Sequence, residues 1–463
     1  MTQAVPVSNT PASLQMLRWI LDPTGFLEAN FHQHGDLFQA KVALGGGQPL
    51  VFVNHPEAIQ VMLTQDNGRT FTAPGEASAI LEPLLGKNSV ILISGEAHRQ
   101  RRQLIMPPFH GDRLKAYGET IHRIAQTVIE EWVAQPYIDA RTAMQQMTMR
   151  VILQAVFGLY EGDRYHRLEE LLRLRLDALG KPRTAVFTFF PVLQQDWGPW
   201  SPGHRLQRLA QETDDLIFAE IGDRRQSPDP NRTDILSLLM AAHDESGNGL
   251  TDQELRDELM TLLVAGHETT ATALTWALYW LHSQPEVKQR LLAELDQTDL
   301  SDLNAVFRLP YLTAVCNETL RINPVAMLTL PRQVEQPMEL MGYQLEPGML
   351  LLGCIYLVHQ REDLYPNHRV FNPDRFLERQ YSPYEFLPFG GGVRRCVGAA
   401  LAQYEMKIIL STVLSQHEFE LADRQPVQPQ RRGLTLGPNS EVRLKPLGTR
   451  QGRESAAMSG VSS

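Results

Sequence analysis

Hydrophobic positions recur along this chain with the period of helices far more often than with the alternation of strands. The clearest case opens at Thr251-Asp-Gln-Glu254, a capping box, and runs to about Ser283, where Pro285 stops it. At 1.5 Å per residue such a helix is roughly 50 Å long, enough to cross the molecule. Between Leu259 and Leu281 only His267 and Glu268 carry a potential charge, so the helix is apolar almost all round and belongs in the interior. Helical spacing also links Ile121, Ile124, Ala125, Val128 and Ile129, then Met147, Val151, Ile152 and Ala155, and predicts helix throughout residues 112 to 180. Alternation is confined to short pieces. Phe38-Gln-Ala-Lys-Val-Ala-Leu44 turns at residues 45 to 47 and returns along Leu50-Val-Phe-Val53, a hairpin followed by a helix over 56–65 and a loop over 70–94. Residues 338 to 358, with a turn at Pro347-Gly348, complete a small sheet. An amphipathic piece at 14–27 either packs on the domain, the preferred reading, or lies on a membrane. The pattern predicts a mainly α fold with a small β region.

Length and composition narrow the class. The 463 residues, 43% hydrophobic with a net charge of −10, describe a globular chain able to bury a large core and exclude a disordered or collagen-like one. With no linker-like stretch and no repeat of fixed period, we read a single large domain over 37–446, an N-terminal segment over 1–36 and a disordered tail over 447–463. Cys316, Cys354 and Cys396 are odd in number and widely spaced, which suggests neither a disulfide framework nor a zinc site and fits a reducing cytoplasm. No run of eighteen apolar residues and no signal-peptide pattern occurs, so a soluble protein without a transmembrane anchor is expected, with peripheral membrane contact left open.

The chemistry centres on Phe389-Gly-Gly-Gly-Val-Arg-Arg-Cys396-Val-Gly398, just before a helical pattern. Glycines at 390, 391 and 392 allow positive φ and a close backbone approach to a large flat ligand. Cys396 at a helix start, beside Arg394 and Arg395, is expected to favour the thiolate. Elsewhere, His98 and Arg102 share a helix face at i and i+4, and Gly266 and Thr269 share one on the long helix, where the glycine removes a side chain from a cofactor's path. Thr269 in mid-helix also competes for the Ala265 carbonyl. Glu318 and Arg321 stand one turn apart, ordinarily a surface pair contributing about 0.2–0.5 kcal/mol. Phe187-Thr-Phe-Phe190-Pro with Trp197 and Trp200 reads equally as a mobile lid and as the packing of a helix connection.

Phe389, Gly392, Arg394, Cys396 and Gly398 match the cytochrome P450 signature Phe-x-x-Gly-x-Arg-x-Cys-x-Gly at every fixed position, and the chain resembles that family over about residues 37 to 446. The resemblance implies the cytochrome P450 fold with a buried b-type haem (iron protoporphyrin IX) ligated by Cys396. It places Ala265, Gly266, Pro388, Phe389, Gly390 and Gly398 against the cofactor, and His98, Arg102, Arg332 and Arg394 around its propionates, which are costly to bury unpaired. It makes Glu268 and Thr269 an oxygen-activating acid-alcohol pair, and assigns Glu318, Arg321 and Arg375 to a structural triad bracing the cysteine loop. Ala326, Met327, Leu328 and Phe187 would contact substrate.

The implied reaction is hydroxylation of an apolar small molecule by O₂, one oxygen atom becoming water. No dinucleotide fingerprint is present, so a separate ferredoxin or flavoprotein electron donor is implied, and no nucleic-acid partner. Arg99, Arg101 and Arg395 are read as its docking face, although a plain solvated helix face also suits the first two. The motifs are most similar to those of cyanobacterial and animal retinoic-acid hydroxylases, which suggests a retinoid. A haem-thiolate isomerase or dehydratase and a non-enzymatic haem sensor are the alternatives; the first usually lacks the acid-alcohol pair, and the second needs an output region that the chain does not contain.

Overall fold

A computed structural model describes residues 3–42, 48–180, 195–423 and 425–450. The central helix spans Asp252–Ser283, and its first turn forms the expected capping box: the Thr251 hydroxyl accepts from the Glu254 amide while the Glu254 carboxylate accepts from the Thr251 amide. Its apolar surface is covered by helices Ala140–Phe157 and Ala399–Gln416, so Leu259, Leu263, Leu274 and Trp276 lie in the main core.

Residues 112 to 180 form three helices instead of one continuous run: Asp112–Val133, Ala140–Phe157 and Asp163–Gly180. Each break has an identifiable cause. Ile138–Asp139 pairs as a strand with Arg443 and Leu444, and the Asp139 carboxylate then caps the next helix by accepting from the Arg141 and Thr142 amides. Gly158, at φ +58°, takes the left-handed conformation that ends that helix.

Leu37–Ala40 and Leu50–Val53 pair antiparallel as expected, with Leu37 opposite Val53. The second strand continues in parallel to Leu350–Gly353, and the sheet extends through Arg332–Val334 to Phe71–Thr72. Strand therefore stops at Gly353, and Ile355–His359 is a short buried helix where sheet was expected. The helix expected at 56–65 is Pro56–Thr64, and the expected loop over 70–94 contains the 3-10 stretch Glu76–Leu81 and the helix Glu82–Leu85.

The N-terminal segment packs on the domain. Trp19, Phe26 and Leu27 are buried with Phe38 and Phe52, whereas Leu14, Leu17 and Leu21 face outward. Residues 447–449, expected to lie in a disordered tail, belong to the strand Arg443–Thr449 paired with His417–Leu421. Residues 451–463 and the lid candidate's Phe187 lie outside the described residues, while Trp197 and Trp200 are exposed ahead of helix Pro202–Gln226. No helix among the described residues is long and apolar enough to cross a membrane.

Candidate active site

The loop 389–398 closes on itself through a hydrogen bond from the Cys396 amide to the Phe389 carbonyl, 3.0 Å. Gly390 and Gly392 adopt φ +63° and +64°, the conformation that selects glycine. The close approach made by Gly391 and Gly392 is to protein, however: a Cβ would stand 2.7 Å from Leu63 Cδ1 at the first and 2.1 Å from Asp66 Oδ2 at the second. Of the glycines in this loop, Gly390 and Gly398 are the ones where a Cβ meets no atom of the described residues within 4 Å. Two of the three glycines expected to face a flat ligand are thus required by helix Pro56–Thr64 and its C-terminal extension.

Cys316 and Cys354 are buried, and burial pushes both thiols up to about 12; Cys396 alone is accessible. Its sulfur nevertheless lies deep among protein atoms. Burial raises its pKa, outweighing the Gly398 amide directed at the sulfur and the charges of Arg102 and Arg395. The protein by itself therefore favours the thiol, contrary to the expectation from the helix start and the arginines, because desolvation of an anion exceeds the help of partly screened cations.

The basic residues expected around propionates do converge. Burial lowers the pKa of His98 to about 4, and the charges of Arg394, Arg102 and Arg332 push in the same direction. Arg394 is likewise lowered to about 10 by burial, and by Arg332 and Arg102 beyond that. Its guanidinium donates to the carbonyls of Val90 (2.8 Å), Ile93 (2.7 Å) and Ala73, which ties the loop over 73–93 to the cysteine loop. Arg332 Nε donates to Asp66 Oδ2 at 2.9 Å and Arg332 Nη2 to the Gly391 carbonyl at 3.0 Å, while Asp66 also accepts from the Val393 amide at 2.9 Å. Asp66 is a central brace that no local pattern in the sequence marks.

Arg101 belongs elsewhere. It is buried against Glu258 (2.9 Å) and Glu254, and burial pushes Glu258 up to about 7 despite that pair. Arg99 is exposed but paired with Glu96. Of the three cations read as a donor-docking face, Arg395 is exposed and makes no ion pair among the described residues, while Arg101 is turned inward onto Glu254 and Glu258 and Arg99 is neutralised by Glu96.

On the central helix, Ala265 is exposed among buried and half-buried neighbours, and the Thr269 hydroxyl donates to its carbonyl. Gly266 does not share this opening: a Cβ there would stand 2.7 Å from Ile152 Cδ1, so the glycine serves the packing of helix Ala140–Phe157. The Glu268 carboxylate is held from that same helix, by Arg141 and by Gln145 Nε2 at 2.8 Å. His267 is buried and bonded to the Thr148 hydroxyl at 2.7 Å; burial lowers its pKa to about 4.

Glu318, Arg321 and Arg375 come together in the interior. Glu318 accepts from Arg321 Nε (2.7 Å) and Nη2 (2.8 Å), from Arg375 Nε (3.1 Å) and from the Asn372 amide (2.9 Å). Arg321 Nη1 also donates to the His359 carbonyl at 2.8 Å, and His359 Nε2 accepts from the Leu387 amide at 3.0 Å, one residue before Pro388 and Phe389. A continuous hydrogen-bonded path thus joins the three charges to the cysteine loop. Ala326, Met327 and Leu328 line a cavity of about 220 Å³ with Trp19, Ile80 and Leu434.

These residues fit haem b. An accessible thiol lies in a closed loop, and mutually repelling basic groups, with Asp66 and Glu76 as neighbouring anions, suit two further carboxylates. They define a haem-thiolate protein. The sequence matches the Cytochrome P450 family over residues 15–445, and the chain belongs to that family. It is 36% identical over 446 residues to the putative cytochrome P450 135B1 of Mycobacterium tuberculosis, covering 96% of this chain and 92% of that protein. It is 32% identical to the cyclooctatin synthase of Streptomyces melanosporofaciens, covering 90% of each. In fold it is similar to retinoic acid-bound cyanobacterial CYP120A1, with a TM-score of 0.83 at 24% identity over 97% of this chain and all of that one. The cytochrome P450DA heme domain gives 0.84 at 21% identity over 98% and 99%. Members of the family are oxidoreductases, monooxygenases that bind haem b through a thiolate and take O₂, an apolar substrate and electrons from a redox partner.

Proposed function

We propose that this protein hydroxylates a long apolar substrate, with Cys396 as the iron ligand and a separate ferredoxin or flavoprotein as electron donor. The observation that carries the assignment is Cys396, the accessible sulfur in a loop closed by Phe389 and braced by Asp66, Arg332 and Arg394. Bound haem supplies the activation of O₂, with thiolate donation favouring O–O cleavage. The chain's own residues do the rest. His98, Arg102, Arg332 and Arg394 would hold the carboxylates of the cofactor, and Ala265 and Gly390 would lie against it. Thr269 positions a proton at its Oγ1, and Glu268, anchored by Arg141 and Gln145, is the acid behind it. Apolar walls at Met327 and Leu328 exclude water from the substrate side. A retinoid such as retinoic acid suits this apolar cavity, and retinoic acid is bound in the similarly folded CYP120A1.

Two measurements test this reading. Titration of the ferric holoenzyme with retinoic acid is expected to shift the Soret band as the sixth ligand leaves, and turnover with reductant is expected to place one atom of labelled O₂ in the product. Product formed without reductant or label would identify an isomerase or dehydratase instead. Thr269→Ala is expected to keep haem and donor oxidation but raise hydrogen peroxide released per product several-fold, because the hydroxyl that directs the proton is gone. An unchanged ratio would reduce Thr269 to a helix-packing residue.

A further inference from the structure

The loop that lines the apolar cavity with Ala77, Ser78, Ile80 and Leu81 is gripped from one side of the central helix. Asp257 accepts from the Asn88 amide (3.0 Å) and from Asn88 Nδ2 (2.9 Å), and the Thr261 hydroxyl donates to Ser89 Oγ at 2.7 Å. Arg101, on helix Gly95–Ile105, donates through Nη1 to the Asn88 carbonyl (2.8 Å) and to Glu258 Oε1 (2.9 Å), and through Nη2 to Glu254. Positions 254, 257, 258 and 261 share one face of the central helix, so a single polar stripe holds residues 88–90, of which Ser89 and Val90 are buried.

Glu258 is the costly member of this stripe. Its side chain is fully buried, and while Oε1 meets Arg101, Oε2 has no hydrogen-bond partner among the described residues. A carboxylate with one oxygen unpaired in the interior carries a desolvation penalty, and a guanidinium already shared with Glu254 and the Asn88 carbonyl offsets it only in part. The charged groups that face it are Arg101 from the neighbouring helix, which favours the anion, and Asp257 from its own, which opposes it; the loop contributes the Val90 amide and no charge. Burial outweighs these, and the carboxyl is pushed up to about 7.

We propose that Glu258 is a proton-operated latch on the substrate cavity: with its proton it stays covered by residues 86–90, and on losing it the loop lifts, water reaches the carboxylate, and apolar molecules exchange more readily past residues 77–81. The latch rests on the reading of this cavity as the substrate site and adds its regulation. Linkage sets the sign. In the lifted loop Glu258 returns to the ordinary carboxylate range, so lifting releases a proton at any pH between that range and about 7. The lifted population therefore rises with pH across that window, by up to about tenfold per unit, and levels off above it. The other displaced groups beside this loop give the opposite slope. Despite its burial Glu254 is held low by the Thr251 amide and hydroxyl and by Arg101, Glu76 is held low by the Ser94 hydroxyl, and burial lowers His98 to about 4, so exposing any of them takes up a proton.

The test reads backbone hydrogen–deuterium exchange of residues 76–93 in the holoenzyme from pH 5 to 8, corrected for the intrinsic pH dependence of amide exchange. Opening is expected to rise about tenfold or more between pH 5 and 7 and then to flatten. Glu258→Gln keeps the shape and the contact with Arg101 but does not titrate, and is expected to hold opening within about threefold over the same range. Should that variant lose haem, the wild-type course decides alone, because the other displaced groups would give a fall. Release of retinol and of hexadecanol, neither of which titrates in this range, is expected to quicken along the same course. A merely structural Glu258 would lower the melting temperature of the glutamine variant and leave the wild-type course flat. A flat or falling course, a rise that survives Glu258→Gln, or alcohol release indifferent to loop opening overturns the latch and leaves the monooxygenase assignment standing. Failure of both alcohols to bind overturns the apolar-substrate reading, while the exchange course, read without substrate, still decides the proton linkage.

Discussion

Cys396→Ser is expected to abolish the red-shifted Soret band of the reduced carbon-monoxide complex and to bring substrate oxidation down to the level of free haem. Cys316 and Cys354 cannot substitute, since both are buried and burial holds both thiols near 12. Cys396 is itself raised above the ordinary thiol value by burial, with Gly398, Arg102 and Arg395 opposing that shift only in part. The anion must therefore be secured by the metal, whose charge deprotonates a coordinating thiol outright. A second result follows from the same physics. Haem uptake by the apoprotein should release a proton at neutral pH, and affinity should fall as the pH is lowered, because protonation competes with ligation. Proton release is read with a pH indicator in weak buffer. A carbon-monoxide complex of unchanged position in the serine variant would show that the sulfur is not the ligand.

Glu318→Gln is expected to have the largest effect on stability of any single change at the site's supports. The carboxylate is fully buried and takes hydrogen bonds from two guanidinium groups and one amide. Neutralising it leaves Arg321 and Arg375 in the interior without their anion, a change that costs about 3–5 kcal/mol when one partner of a buried pair is removed. The damage should reach the cofactor through Arg321, His359 and Leu387, so haem-to-protein ratio and denaturant midpoint are expected to fall together. Retention of both would mean that the three charges hold only their own surroundings. The pair was legible in the sequence as Glu-x-x-Arg, yet its spacing alone describes a surface contact; burial changes its energetic standing.

The same contrast runs through the molecule. Local rules placed the central helix with its cap and stop, the hairpin 37–53 and the cysteine loop, because helix periodicity, turn residues and a short dense motif act within a few residues of one another; the gathering of His98, Arg102, Arg332 and Arg394 was expected only from the family resemblance. The pattern also read 112–180 as helical throughout, although a strand pairing with Arg443 and Leu444 interrupts it. It read Gly266 as room for a cofactor without the packing that the structure adds there, where a Cβ would stand 2.7 Å from Ile152 Cδ1. It left Arg101 in solvent, although Glu254 and Glu258 lie 153 and 157 residues further along the chain.

What the sequence by itself determined was the mainly α architecture and the cysteine motif, with the basic residues around it expected from the family that this motif resembles. Tertiary structure alone decided that Asp66 braces the cysteine loop from 327 residues away, that Arg141 and Gln145 hold Glu268, and that Arg431 stands in the cavity wall against Trp19. The reason is physical. Periodicity and turn chemistry are set by neighbours in the chain, whereas the burial of a charge, and hence its pairing and its pKa, is set by whichever distant segments close over it.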